Sequence, residues 1–220
     1  IAEGDKTVRE LLQSNEARVA AVYALPEWIA QYAPLAGDTS LEAVTTDELQ
    51  RISTQSTPNQ ALALVHFPAG NTPPPLQCRL TLALETIQDP GNMGTIIRIA
   101  DWFGISQVFY SPDCADPFQP KAVQASMGSI SRVLVTATNL PDLLQQYPYI
   151  PAYAATLQGE DIRSFSKAEE GILLIGNESR GLSPELVSLC RYRITIPRVG
   201  RAESLNAAVA AGILCAKLCL

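Results

Sequence analysis

The stretch Leu80-Thr-Leu-Ala-Leu-Glu-Thr-Ile-Gln-Asp-Pro-Gly-Asn-Met-Gly94 decides the fold class of this 220-residue chain. Its mostly apolar start, Leu80–Leu84, predicts a buried strand; the turn Gln88–Asn92 follows, and an amphipathic helix is predicted from Met93 to Phe103. The next strand is predicted at Gln107–Tyr110. Strands that alternate with helices in this way indicate a parallel sheet covered on both faces. We therefore predict an α/β fold.

The same alternation continues to the end of the chain. Further strands are predicted at Val133–Thr136, Tyr153–Thr156, Ile172–Ile175 and Arg193–Ile196. Ser183-Pro184 predicts a helix start, with serine as the N-cap and proline at the first helical position. The last predicted helix is apolar and runs from Ser204 to Leu220.

The first third of the chain has a less regular pattern and precedes a break in composition. Pro68-Ala-Gly-Asn-Thr-Pro-Pro-Pro75 is too rich in proline and glycine for a helix or a central strand. We therefore predict a first domain at residues 1–67, a linker at 68–77 and a second domain at 78–220. Within the first domain, helices are predicted at Thr7–Arg18 and Leu41–Gln50 and strands at Val19–Leu25 and Ala61–Val65.

The composition excludes several classes of protein. Hydrophobic residues make up 47% and charged residues 17% of the chain, which is typical of a globular protein and not of a disordered one. No segment approaches the roughly 18 uninterrupted apolar residues of a membrane-spanning helix. Five cysteines without a CxxC pair and one histidine, His66, give no usual zinc-ligand set. We expect a soluble cytoplasmic protein with reduced thiols and no metal. Because the sequence lacks an initiator methionine, we also expect it to belong to a longer chain.

The charges are distributed unevenly. The formal net charge is −6, and residues 1–77 carry 4 basic and 9 acidic side chains. An acidic chain argues against nucleic-acid binding, because the neutralisation of phosphates supplies most of that affinity. The local field matters more, and four arginines fall close together in the sequence. They are Arg191, Arg193, Arg198 and Arg201. Composition fits a basic edge and a solvated charged surface equally well.

Three segments of the second domain carry more polar residues than a scaffold needs. The first is Asp89-Pro-Gly-Asn-Met-Gly94, followed by Arg98, and it lies at the carboxyl end of a strand, where α/β sheets bind ligands. The second, Ile175–Glu185, places Gly176, Asn177 and Glu178 directly after an apolar strand. Its glycine-rich turn permits the close approach of a ligand. A purely structural interpretation explains these two segments as well. In it, the glycines of the first segment serve only a tight turn, Arg98 is a surface residue, and the second segment is a plain loop.

The third segment is Ile196–Asn206, where a strand ends at Pro197 and a helix is predicted to begin near Ser204. Free N–H groups at a helix start can bind a carboxylate or a phosphate. Ser204 as a mere cap and Asn206 as a surface residue are the alternatives. None of the three segments is a Walker loop, a GxGxxG fingerprint or a GxSxG elbow. His66 lies in an apolar strand outside the glycine-rich turns, so a catalytic triad is poorly supported.

In this order the three segments resemble the three motifs of the SpoU (TrmH) group in the SPOUT superfamily of RNA methyltransferases. The matching residues are Asp-Pro-Gly-Asn-x-Gly with Arg98, then Gly-Asn-Glu-x-x-Gly-Leu, then Ile-Pro followed by Glu-Ser-Leu-Asn. Ala125-Ser-Met-Gly128 also resembles the family, so the likeness extends from Leu80 to Leu220. The front, with Glu3–Leu12 as its first helix and Ser53–Val65 as its last strand, resembles the group's small RNA-binding domain, which is related to ribosomal protein L30e.

The resemblance implies a fold, a reaction and a site. The fold is a parallel-sheet SPOUT domain with a deep trefoil knot, preceded by the L30e-like domain. The reaction transfers a methyl group from S-adenosylmethionine to a ribose 2′-hydroxyl of rRNA or tRNA, usually in a homodimer. The implied catalytic residues are Arg98, Asn92, Glu178, Ser204 and Asn206. The implied cofactor-binding residues are Thr156, Leu157, Gly176, Asn177, Ile196 and Leu205.

Two other functions fit parts of the same pattern. A catalytically silent family member, acting in RNA binding or ribosome assembly, would keep the fold and bind S-adenosylmethionine without transfer. An unrelated doubly wound nucleotide-binding enzyme would need a phosphate-binding fingerprint, which the sequence lacks. Within the enzyme hypothesis, Arg98 is not the expected base, because a guanidinium stays protonated in proteins. We expect it to bind a phosphate or to stabilise the developing alkoxide, while Asn92, Ser204 and Asn206 orient the ribose.

Overall fold

A computed structural model describes residues 1–67 and 75–220 of the chain. In these residues it contains ten strands and eight α-helices. The strands are β1 (Ala2–Glu3), β2 (Val19–Ala24), β3 (Ser40–Ala43), β4 (Ala61–Val65), β5 (Leu80–Leu84), β6 (Gln107–Tyr110), β7 (Leu134–Ala137), β8 (Ala152–Asp161), β9 (Gly171–Ile175) and β10 (Tyr192–Thr195). The helices are α1 (Asp5–Gln13), α2 (Pro26–Tyr32), α3 (Thr46–Ile52), α4 (Pro90–Trp102), α5 (Pro120–Ser126), α6 (Leu140–Gln146), α7 (Pro184–Leu189) and α8 (Ala207–Cys219).

The larger sheet confirms the predicted α/β fold. Its six strands have the order β10-β8-β9-β5-β6-β7, and every pair is parallel. Parallel strands leave their carboxyl ends at one edge of a sheet. The loops after β5, β9 and β10, which contain the three motif segments, therefore start from the same edge.

The two faces of this sheet are both covered, as the alternation of strands and helices predicts. Along β5, Leu82 and Leu84 belong to a core that includes Ile96 and Ile97 of α4. Ala83 faces the other way, into a second core with residues of α6 and α7. Successive side chains of a strand point to opposite faces, so a five-residue apolar strand contributes to both cores.

The residues before the break in composition form a separate four-stranded sheet of order β1-β4-β2-β3. β2 and β3 are parallel, whereas β4 runs antiparallel to β1 and β2. Trp28 is buried against Val8 and Val22 in its core, and the indole N–H donates to Asp5 Oδ1 over 2.8 Å.

One polar cluster joins the two parts of the chain. The Arg132 guanidinium contacts Glu10 of α1 at 3.1 Å and Asp101 of α4 at 2.7 Å. Burial raises the pKa of Asp101, but hydrogen bonds from Arg132 and Ser129 outweigh it, so the pKa lies below its usual value. The predicted linker at 68–77 falls mostly on residues 68–74, which lie outside the described residues.

Several predicted boundaries are wrong, and local hydrogen bonds explain the larger differences. The helix predicted at Thr7–Arg18 ends at Gln13, because the Ser14 hydroxyl accepts the N–H groups of residues 16 and 17 and replaces helical bonding. The segment predicted as the helix Leu41–Gln50 begins as strand β3. Its helix starts only at Thr46, where Thr45 and Glu48 form a capping box. Strand β1 and helices α2, α5 and α6 are absent from the prediction.

Nothing in the described part of the chain indicates a membrane span or a metal site. In residues 1–67 and 75–220, no helix has the length and apolar character needed to cross a bilayer. Over the same ranges, no three His, Cys, Asp or Glu side chains lie together as metal ligands would.

Candidate active site

The first motif begins with a helix cap. The prediction of a turn up to Asn92 is wrong: α4 starts at Pro90, because Asp89 is its N-cap and accepts the Asn92 backbone N–H over 2.9 Å. Lys121 contacts the other oxygen of Asp89 at 3.0 Å. The Asn92 N–H, together with Lys121, holds the pKa of Asp89 below its usual value. No local pattern in the sequence predicts this role of Lys121.

Gly94 serves helix packing. It lies inside α4, and a Cβ built on it would stand 2.1 Å from the carbonyl oxygen of Ala122 in α5. Real Cβ atoms do not approach a carbonyl oxygen so closely. The glycine therefore allows the backbones of α4 and α5 to touch. That contact sets the position of α4, the helix that carries Asn92 and Arg98.

The three motifs meet in a chain of amide hydrogen bonds. Asn92 Nδ2 donates to Glu178 Oε1 over 2.5 Å, and Asn206 Nδ2 donates to Asn92 Oδ1 over 2.9 Å. These residues are 86 and 114 positions apart in the sequence. Three of the five predicted catalytic residues, one from each motif, are thus in direct contact, and each has a fixed amide or carboxylate orientation.

Asn206 has a second role as a helix cap. Its Oδ1 accepts the backbone N–H groups of Ala208 at 3.0 Å and Val209 at 3.2 Å. The predicted helix start at Ser204 is therefore wrong, because α8 begins at Ala207 with Asn206 as its N-cap. Ser204 and Leu205 lie in the exposed loop before the helix. In the described structure, Ser204 makes no hydrogen bond with Asn92, Glu178 or Asn206.

Arg98 stands apart from that chain of contacts. Gly91, Thr95, Arg98 and Trp102 follow one another at helical spacing, and Arg98 and Trp102 are exposed. Asn92 points to another side of α4, toward Asn206. The structure therefore places Arg98 next to solvent, without a hydrogen bond or ion pair among the described residues.

The second motif forms a loop that closes on itself. A Cβ on Gly176 would lie 2.4 Å from the backbone of Gly181, so the missing side chain makes room for the loop's own return. Asn177 Oδ1 accepts the N–H groups of residues 179 and 180, and its Nδ2 donates to the Thr86 carbonyl over 3.0 Å. Gly176 thus serves the loop's own turn, and the cofactor-binding role implied for Gly176 and Asn177 stays a prediction.

A polar network outside the three motifs supports this loop. Thr86, which adopts a left-handed φ of 56°, donates its hydroxyl to Asp113 over 2.6 Å, and Ser111 donates to the same carboxylate over 2.5 Å. These two hydrogen bonds lower the pKa of Asp113. No local pattern identifies Thr86 or Asp113, since their importance depends on the pairing of β5 with β6.

The predicted cofactor residues Thr156 and Leu157 lie in an irregularity of β8. Arg193 pairs with Ala154, but the next residue, Ile194, pairs with Glu160, so residues 155–159 leave the ladder between them. Leu157 is 74% exposed, and its carbonyl accepts the Thr195 hydroxyl over 3.3 Å. The bulge therefore lies against the end of β10, and Ile196 directly follows that end.

The comparisons with known proteins decide the family. The model of the SpoU rRNA methylase family matches residues 79–216. The chain belongs to this family. The predicted membership of the SpoU (TrmH) group is thereby confirmed, and the match covers β5 to most of α8, including all three motifs.

Among curated proteins, the chain is similar to the 23S rRNA (guanosine(2553)-2′-O)-methyltransferase RlmP of Bacillus subtilis, with 32% identity over 174 residues. That alignment covers 78% of this chain and 69% of the relative. For two further curated relatives the chain spans only 64% and 58% of their length.

Two solved structures cover nearly all of the chain. One is the SpoU methyltransferase AviRb of Streptomyces viridochromogenes in complex with AdoMet, with 25% identity and a TM-score of 0.83. The other is an AdoMet-bound rRNA methyltransferase of Sinorhizobium meliloti, with 29% identity and a TM-score of 0.81. Each alignment covers 98% of this chain, and 87% and 84% of the respective neighbour.

Proposed function

We propose that this member of the SpoU rRNA methylase family transfers a methyl group from S-adenosylmethionine to a ribose 2′-hydroxyl of rRNA or tRNA. The predicted reaction and cofactor agree with the relatives named as rRNA 2′-O-methyltransferases and with the neighbours solved with AdoMet. The observation that carries the proposal in this chain is the amide chain Glu178–Asn92–Asn206, which unites the three motifs at the carboxyl edge of the sheet.

The chemistry of the residues fits the cofactor. Residues 155–159 leave the strand ladder, so their main-chain N–H and C=O groups can bind an adenine or a ribose. The exposed Leu157 and Leu205 offer apolar surface. Main-chain groups near Gly176 and Asn177, and near Ile196, complete the proposed binding residues. When bound, S-adenosylmethionine supplies a methyl group on a positively charged sulfur.

The protein's contribution to catalysis is orientation and charge. Glu178 accepts one amide hydrogen of Asn92 and thereby fixes the direction of its carbonyl oxygen, so we assign Glu178 a positioning role. Asn92, Asn206 and the exposed Ser204 orient the ribose. The Arg98 guanidinium stabilises the charge that develops on the 2′-oxygen, or binds the neighbouring phosphate.

The assembly we propose is a homodimer. Val209 and Ile213 of α8 are exposed apolar residues four positions apart, with 51% and 40% of their surfaces accessible, and Leu220, directly after the helix, is 85% exposed. An apolar stripe of this kind is typical of a surface that binds a partner. Because Asn206 is the N-cap of α8, the stripe and the site are joined by one helix.

We further propose the finer features of the fold. After β10 the chain brings the start of α8 to the start of α4, where Asn206 contacts Asn92, and we propose that it forms the deep trefoil knot there. Residues 1–67 form the L30e-like unit that recognises the RNA substrate, 68–77 form the linker, and 78–220 form the methyltransferase domain. A cytoplasmic location follows from an rRNA or tRNA substrate.

The test is the transfer of tritiated methyl from labelled AdoMet to total RNA from a strain that lacks this protein. Arg98→Ala should abolish incorporation, whereas Arg79→Ala, an exposed arginine at the amino end of β5, should retain it. Alkali-resistant dinucleotides in the product place the methyl on the ribose. AdoMet binding without transfer by the wild-type chain would select the catalytically silent function instead.

A further inference from the structure

The charges of the folded chain separate into two regions. The part described up to residue 67 contains 4 basic and 9 acidic side chains, and Arg9 is held by Asp5 at 2.8 Å. In contrast, residues 190–202 contain four arginines and no acidic residue. We call Arg191, Arg193, Arg198 and Arg201 the basic edge.

The basic edge follows the free side of the large sheet. β10 is the outermost strand of the sheet beside β8, and all four arginines are exposed. None of them has an ion-pair partner among the described residues; Arg198 alone makes a side-chain hydrogen bond, to the Ala202 carbonyl at 3.1 Å. These four cations are therefore available for anions that come from outside.

The direction of the edge points to the site. Arg193 lies in β10, and Arg191 directly precedes the strand, two residues away. Arg198 and Arg201 follow in the loop that leads to Ser204 and Asn206. The four positive charges thus form a line from the amino end of β10 to the proposed methyl-transfer site.

An aromatic groove lies at the far end of this line. Tyr147, Tyr149 and Arg191 border a shallow groove at the amino ends of β8 and β10. Tyr149 is 92% exposed, which is unusual for an aromatic side chain without a partner. The Arg191 guanidinium lies 5.3 Å from the ring centroid of Tyr192. Exposed aromatic rings beside arginines are the combination that binds single-stranded nucleic acid.

We propose that the basic edge binds the phosphate backbone of the RNA substrate and that Tyr149 stacks on an unpaired base of the same RNA. This inference rests on the proposed function and adds the surface that holds the substrate. The acidic residues 1–67 recognise the RNA through its shape and its bases, while the phosphate contacts come from β10 and the loop after it.

The first experiment measures the affinity of the 220-residue chain for a fluorescein-labelled rU20 oligonucleotide by anisotropy at several salt concentrations. For single strands the logarithm of the association constant falls with the logarithm of salt by about 0.7 per phosphate contact. Arg191→Gln/Arg193→Gln should therefore make the slope shallower by about 1.4 and weaken binding about 25-fold at 0.1 M salt. The matched control Arg79→Gln/Lys167→Gln removes the same net charge from exposed positions before β5 and β9, outside residues 1–67 and outside the basic edge, and should change neither value appreciably.

A second variant separates stacking from charge. Tyr149→Ala should weaken rU20 binding by about 5-fold or more without changing the salt slope, and Tyr149→Phe should restore it. Equal slopes for the wild type and the Arg191/Arg193 variant, or a control pair with the larger effect, would overturn the proposal. So would self-association of that variant with unchanged RNA binding, which would mean that the arginines only protect an edge strand.

Methyl transfer to total RNA distinguishes this proposal from the function on which it rests. If the wild-type chain transfers methyl and the Arg191/Arg193 variant raises KM for RNA with unchanged kcat and unchanged AdoMet binding in equilibrium dialysis, the surface is supported. If the wild-type chain transfers methyl and the variant does so with the same KM, only the surface proposal fails. If the wild-type chain binds AdoMet and rU20 but transfers no methyl, the proposed function fails. The surface proposal is then decided by the salt dependence of rU20 binding alone.

Discussion

The substitution of Asn206 separates the stability of α8 from the geometry of the site. The side chain accepts two N–H groups at the start of α8 and donates to Asn92 at 2.9 Å. Asn206→Ala removes both functions. The loss of an N-cap costs about 1 kcal/mol, and the loss of the hydrogen bond to Asn92 costs about 1 kcal/mol more. The melting temperature should therefore fall by about 4–8 °C for a chain of this size.

Asn206→Asp removes only one of the two functions. A carboxylate still accepts the N–H groups of Ala208 and Val209, and it interacts favourably with the helix N-terminus by about 0.3–1 kcal/mol. It cannot donate to Asn92 Oδ1, so the amide chain is broken. We expect the melting temperature of this variant to stay within about 2 °C of the wild type, while methyl transfer falls about 10- to 100-fold because Asn92 is no longer oriented.

The control is a second asparagine cap that lies away from the site. Asn139 caps α6, on the opposite face of the sheet, by accepting the Asp142 N–H over 3.0 Å. Asn139→Ala should lower the melting temperature by about 2–4 °C and leave turnover unchanged. Thermal unfolding by circular dichroism and tritiated methyl transfer measure the two quantities. Wild-type turnover by Asn206→Asp would refute the positioning role, and a loss of stability equal to that of Asn206→Ala would refute the capping role.

Three further outcomes follow from the packing and the titrating groups. Gly94→Ala should destabilise the chain by about 2 kcal/mol or more, because its Cβ would lie 2.1 Å from the Ala122 oxygen. Gly212→Ala in α8 should instead stabilise the chain by about 0.5–1 kcal/mol, because its Cβ would contact only Ile99, at 3.7 Å. Denaturant titrations measure both changes. The pKa of Asp101 is lowered in the fold, so its stabilising effect is present above its ordinary value of 3.8 and is lost as the pH falls through the lower folded value. The melting-temperature difference between wild type and Asp101→Asn should accordingly shrink as the pH falls below the ordinary pKa of 3.8. A difference that grows in acid would contradict the lowered pKa. Burial raises the pKa of Cys190 to about 12 and also raises the pKa of Cys215. Iodoacetamide at pH 8 should therefore label the exposed Cys78 first, as measured by mass spectrometry of the native protein. Equal labelling of Cys215 would contradict the burial of this residue in α8.

The sequence predicted the elements that depend on short-range patterns. Strands β5 and β6 match their predicted bounds to the residue, because both are apolar runs flanked by polar turns. Ser183 caps α7 as predicted, since its hydroxyl and the following proline act within one turn. Helices α5 and α6 escaped prediction because they are only seven residues long and contain too little apolar periodicity. Helix starts were misplaced where a cap, such as Asp89 or Asn206, resembled a residue of a turn or a loop.

The site could be predicted only in part. The motifs supplied Asn92, Glu178 and Asn206, but not their contacts, because hydrogen bonds across 86 and 114 positions depend on the sheet order. The bulge at residues 155–159 depends on how β10 pairs with β8, and no local pattern encodes that register. Thr86 and Asp113 were missed for the same reason: their role arises only when the ends of β5 and β6 lie side by side.

The position of Asn206 links catalysis to assembly. The residue is the last of the third motif and the cap of α8, and α8 also carries the exposed stripe of Val209 and Ile213. A partner that binds this stripe would hold the helix whose first turn fixes Asn206, and through it Asn92 and Glu178. In the proposed homodimer, the site would therefore gain order when the second subunit docks, since the same helix serves both contacts. A stripe substitution such as Ile213→Glu should thus lower turnover together with dimer content, even though Ile213 itself touches none of the proposed catalytic residues.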